Sequence, residues 1–317
     1  MTTSPDFTYN RDQIIRRSLR LVGAIQSGET PGAQENQDAV DALNALVSEW
    51  QATGLHLWKE SEGVLFLQPG QIKYGLGGST TDQSAITSTI NQSVTTTALA
   101  IGSTAIPLAS VAGIIAADKF GVMLSNNVLF WTTVSSIVGL TVNIPSPGIP
   151  VAVNANAPTF DYTTRIIRPL RVIDARRYYI PSNIETPLNI MSRLDFRELP
   201  NKQSTGPINQ FFYDPQLSTG YFWSWPAPPD SLSKVNFTWM EPIFNFNTAA
   251  DQPDFPVEWF NCLVWNLAKE IMLEYDVPPQ RAQMIQIRAK ETFDLVSGFD
   301  REPESYLFGV NFDQSAR

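Results

Sequence analysis

Cysteine and histidine are nearly absent: the 317 residues hold one of each, Cys262 and His56. A single cysteine excludes an intrachain disulfide framework, which fits a reducing compartment. One cysteine and one histidine do not make an ordinary structural zinc site. A Ser-His-Asp or Cys-His catalytic arrangement would have to use His56, because the triad logic needs an imidazole base. His56 sits in the apolar connection Gly54-Leu55-His56-Leu57-Trp58, where a structural role is expected. Cys262, between Asn261 and Leu263 on a helix, reads as a small core residue rather than a nucleophile.

Charge is also scarce. Asp, Glu, Lys and Arg make up 17% of the chain, against about 25% in ordinary soluble domains. Solubility must rest on the large stock of Thr, Ser, Asn and Gln. The balance that remains is acidic, with a formal net charge of −9. An acidic chain gains nothing from counterion release, so sequence-independent DNA binding is not expected. The same surface suits a channel through which DNA slides without sticking. No apolar run is long enough to cross a bilayer, so no membrane partner is expected. The opening MTTSPDFTYNRDQ has no apolar stretch behind a basic start, so no signal peptide is expected either. Gly75-Leu76-Gly77-Gly78 lacks the Gly-Lys-Ser/Thr ending of a phosphate loop and reads as a hinge. No cofactor is expected.

What is present has a clear order. Asn10 and Gln13 form a variant capping box, after which Ile15, Leu19 and Val22 recur at helical spacing, flanked by Ile14 and Ile25. Pro31 opens a second helix with the stripe Val40, Leu43, Val47, Trp50. The pair reads as an antiparallel hairpin of helices. Val64–Leu67 and Ile72–Tyr74 around Pro69-Gly70 predict a β-hairpin.

From about 78 to 163 the chain is nearly free of charge and rich in Thr, Ser, Ala, Val and Ile. Short strand-like pieces between Gly and Asn turns predict a small inserted sandwich or barrel. Beyond it come strands at 170–179, 208–213, 221–225 and 234–240, and a short helix at 192–199. Two further helices follow, with stripes Trp259, Leu263, Leu267, Ile271 and Met284, Ile287, Phe293, Val296. The expected class is α+β: an antiparallel helical-bundle core with β-hairpins and strands (1–77 and 164–298), an inserted all-β domain (78–163) and an extended C-terminal tail (299–317).

Paired carboxylates for a hydrolase can arise by chance among 31 acidic residues, and Glu60 and Glu62 have no distinguishing context. Two arginine clusters stand out, Arg11, Arg16, Arg17, Arg20 and Arg165, Arg168, Arg171, Arg176, Arg177. They read as solvated faces or as contacts to acidic surfaces of neighbouring subunits, with Arg16, Arg17, Arg20, Arg176 and Arg177 as the candidate inter-subunit residues. The tail carries Tyr306, Leu307, Phe308 and Phe312, which either anchor in a partner's groove or fold back on their own domain.

Taken in order, several pieces resemble the head-to-tail connector (adaptor, or tail accessory factor) family of short-tailed bacteriophages. They are Thr8–Ile15, Asp41–Asn44, Glu49–Leu55, Leu57-Trp58, Phe66–Gln71, Arg168–Arg177, Leu199–Lys202, Tyr213–Leu217, Trp225-Pro226 and Asp254–Trp259. The resemblance spans nearly the full length apart from the insertion. It implies a structural, non-enzymatic subunit assembled in the host cytoplasm and located in the virion neck. Copies would close as a homo-oligomeric ring, dodecameric in such proteins, beneath the portal protein, with the tail running up against the portal. The far end would receive the tail nozzle, needle or tube, and tailspikes or fibres are further candidate partners. Packaged DNA would be retained and would pass through the channel without specific binding. A tail-associated peptidoglycan hydrolase and a receptor- or glycan-binding tail protein are the alternatives, the latter because aromatics crowd 211–239.

Overall fold

A computed structural model describes residues 9–53, 59–77 and 81–299. The expectation of a helical-bundle core is overturned. The chain is mostly β, with sixteen strands in four sheets against five α-helices among the described residues. The local helical periodicities were real. The bulk of the architecture, however, comes from strands paired across long stretches of chain, and local spacing carries no sign of such pairings. Two compact units result, one drawn from Met1–Trp58 and Ile243–Arg317, the other Lys59–Pro242.

In the first unit lie α1 (Arg11–Val22), α2 (Ala33–Thr53), α4 (Phe260–Ile271) and α5 (Pro279–Phe299). Asn10 and Gln13 form the anticipated reciprocal cap, at 2.9 and 3.0 Å. Gly23, at φ 92°, ends α1 in the left-handed conformation that lacks a Cβ penalty. The stripes of α1, α2 and α4 are buried as their spacing predicts. On α5 the buried row is Ile285, Ala289 and Val296, while Met284 and Ile287 are exposed. Losing the reciprocal cap leaves helix-end donors unmet, so Asn10→Ala should cost about 1 kcal/mol. Urea unfolding checks this, and a loss below a few tenths would show the cap to be idle.

The second unit is built on β1 (Glu60–Phe66), which pairs antiparallel with β16 (Ser233–Met240) on one side and β3 (Ser84–Ile86) on the other. With β11 (Arg171–Tyr179) and β12 (Ile184–Pro187) these give a sheet in the order β12-β11-β16-β1-β3. β1 is apolar without interruption from Val64 because both its faces are covered. Val64 and Phe66 enter one apolar cluster and Leu65 another. β2 (Lys73–Leu76) does not return along β1 as a hairpin. It pairs with β15 (Gly220–Trp225), in a sheet with β14 (Gln210–Asp214) and β13 (Asn189–Ile190). The turn at Pro69-Gly70 therefore sends the chain from one sheet to another. A short helix, α3 (Arg193–Glu198), carries its own capping box from Ser192.

Between β3 and β11 the chain adds two more sheets. One holds β4 (Asn91–Val94), β6 (Lys119–Met123), β7 (Leu129–Thr133) and β10 (Pro158–Tyr162) in the order β4-β10-β6-β7. The other holds β5 (Ala105–Pro107), β8 (Ser136–Val138) and β9 (Thr141–Asn143) in the order β5-β9-β8. The aromatics here are packed, not idle: Phe66 meets Trp131 at 4.8 Å and Phe160 at 5.0 Å between ring centroids.

Candidate interaction surfaces

Cys262 lies on α4 with no exposure. Burial pushes its thiol up to about 12, and Asn266 Nδ2 donates to its Sγ at 3.3 Å. It is a neutral core group, not a nucleophile. His56 and the tail residues Tyr306, Leu307, Phe308 and Phe312 lie outside the described residues.

The candidate arginines divide. In the second unit Arg176, on β11, is taken up within its own sheet, 3.4 Å from Glu62 on β1 and 3.5 Å from Asp174. Glu62 is thereby accounted for as well. Arg177 is half-buried beside it, its Nε without a partner. In the first unit the helical spacing of Arg16, Arg17 and Arg20 gathers them on one side of α1. With Tyr9, Gln13 and Glu29 they line an open cleft of about 370 Å³. Arg17 donates to the Tyr9 hydroxyl at 3.0 Å, and none of the three has an ion-pair partner among the described residues.

Sequence reasoning missed a row of opposite charge on the same unit. Glu35, Asp38 and Asp41 recur every third residue along α2, a spacing that places them on neighbouring turns. Among the described residues Asp38 and Asp41 accept only from neutral glutamines of their own helix, Gln34 at 2.8 Å and Gln37 at 3.1 Å. Burial first, then the charges of Glu35, Glu274 and Asp38, hold the Tyr275 phenol above its ordinary range. Those three acids therefore converge, joining α2 to the turn after α4. The signal is legible in the spacing of the acids along α2.

The aromatics of 211–239 are turned inward. Phe211, Phe212, Phe222, Phe237 and Trp239 are buried, and Tyr213, Tyr221, Trp223 and Trp225 are half-buried. Cations of the same chain cover several rings. Lys73 lies 3.7 Å from the Tyr221 centroid and 5.1 Å from that of Trp223. A sugar stacking there would have to displace them.

Asp118 and Asp161 form a close carboxyl pair in the second unit, each with 1% exposure. Burial, then the neighbouring Asp118, push Asp161 up to about 7, against a hydrogen bond from Asn91 at 3.2 Å that favours the charged form. So enclosed a pair does not reach a polymeric substrate. Neither a protein-family model nor a curated protein matches the chain.

Proposed function

We propose that this chain is a structural head-to-tail connector of a tailed bacteriophage, closing as a ring beneath the portal protein and offering the tail its attachment site. The observation that carries the reading is the charge layout of the first unit, with Arg16, Arg17 and Arg20 of α1 free of ion pairs among the described residues and a run of acids on α2. A ring that closes by rotation needs two different, mutually complementary patches on every copy. Opposite charges steer such patches together and fix their register. The arginine face of one copy meets the acidic face of the next. The inward-turned aromatics favour an assembly role over sugar stacking, and the burial of Asp118 and Asp161 removes the best-placed carboxyl pair from the hydrolase reading.

The test is native mass and electron microscopy of the full chain, alone and with the portal protein. Arg16, Arg17 and Arg20 replaced together by Glu should abolish rings. Adding Glu35→Lys, Asp38→Lys and Asp41→Lys to that variant should restore them. A charge-reversed triple that assembles on the portal like the wild type would sink this interface and, with it, the support for ring closure.

A further inference from the structure

Lys234 of β16 has 6% exposure, and no carboxylate lies within ion-pair distance of it among the described residues. Its ammonium instead sits 4.7 Å from the Tyr178 ring centroid and 5.5 Å from that of Phe160. Glu185, whose charge also acts on Lys234, accepts a 2.5 Å hydrogen bond from Asn236. Burial holds the ammonium below the ordinary lysine range, and Glu185 offsets this only in part. A desolvated cation without an anion is costly, and a fold that keeps one leaves room for its counter-charge to come from outside.

The surroundings supply that room. Lys234 lines a cleft of about 340 Å³ between β10, β4 and the end of β11, within the size range of small-molecule sites. No Asp or Glu lines it. Ser93 accepts the Ser110 N–H at 3.0 Å, which leaves its own O–H free to donate, and Gln92 adds an amide. One positive charge, several neutral hydroxyl and amide groups and an aromatic wall from Phe160 match a monoanion bearing hydroxyls. They do not match a phosphate dianion, which calls for more donors or a second cation.

We propose that this cleft binds a small hydroxycarboxylate of the size of a sugar acid, its carboxylate on Lys234 and its hydroxyls on Ser93 and Gln92. The site lies wholly in the second unit and stands whether or not the chain closes as a ring.

Calorimetric titration of the full chain with glucuronate, and separately with glucose and with inorganic phosphate, tests it. Glucuronate should bind saturably, glucose should not, and phosphate should bind more weakly. Lys234→Met should weaken glucuronate binding by about tenfold or more, while raising the unfolding temperature without ligand, because the cation need no longer be desolvated. Should Lys234→Met fail to fold, Gln92→Leu serves instead and should weaken binding several-fold. Failure of glucuronate to bind, or binding that neither substitution alters, overturns the site. Phosphate binding as tight as glucuronate overturns the ligand class.

Discussion

Gly77→Ala should destabilise the second unit severely, on the order of 3–5 kcal/mol, or prevent it from folding. Gly77 follows β2 at φ +80°, a left-handed conformation that costs an L-residue about 1–2 kcal/mol. A Cβ placed there would also stand 2.2 Å from the Arg168 backbone nitrogen, 2.5 Å from its Cα and 2.7 Å from the Ile167 carbonyl carbon. None of these atoms belongs to a flexible side chain, so the segment leading into β11 would have to move. Leu76 and Ile166, on either side of the contact, are both buried in one apolar cluster, so movement opens that core. Gly70→Ala separates the two causes. Its φ is +71°, but nothing lies within 4 Å of its added Cβ, so it should lose only the backbone share, about 1 kcal/mol. Urea unfolding of both variants decides the matter. Equal losses would mean that the close approach of Gly77 to residues 167 and 168 contributes nothing.

Gly77 also shows where sequence reading reaches its limit. The glycine run 75–78 was recognisable as something other than a phosphate loop, and Gly77 does occupy a conformation that favours glycine. The backbone that presses on it, however, is just over ninety residues away along the chain (Arg168 against Gly77). Elements whose signal is local were legible: the cap at Asn10, the stripes of α1, α2 and α4, the strand alternation of β15 and β16. On α5 both 284/287 and 285/289 are helical spacings, and only the packing partner decides between them. The expected hairpin at 64–74 had sound turn chemistry, but sheet membership is settled by β15 and β16, not by the turn. Lys234 was illegible for a related reason. Val235, Phe237 and Trp239 mark one face of β16 as buried, and a lysine on the other face reads as solvent-facing. Here the rings of Phe160 on β10 and Tyr178 on β11 lie beside it.

The buried carboxyl pair should make the second unit less stable as the medium becomes more alkaline, opposite to the usual behaviour of salt-bridged acids. Asp118 Oδ2 is committed to the Ile115 N–H at 2.7 Å, and Asp161 Oδ2 to Asn91 Nδ2 at 3.2 Å. The Oδ1 atoms of both have no donor, so with both groups ionised two buried anions face each other unmet. Protonating Asp161 turns one orphan acceptor into a donor for the other. The sign follows from linkage. Asp161 titrates at about 7 when folded and at about 3.9 when unfolded. Between those values the folded state holds a proton that the unfolded state has released, so its stabilising effect is complete below pH 4 and is lost as pH rises through 7. One proton corresponds to about 1.4 kcal/mol per pH unit, so the loss across this window of about three units is on the order of 4 kcal/mol. Asp161→Asn keeps the shape and offers Asp118 a permanent amide donor. It should therefore flatten the profile from this site and exceed the wild type in stability above pH 7, with little difference near pH 4. Urea midpoints from pH 4 to pH 9 give the comparison. If the two proteins ran parallel throughout, the unmet Oδ1 atoms would have found another partner, and the pair would carry no proton at neutral pH.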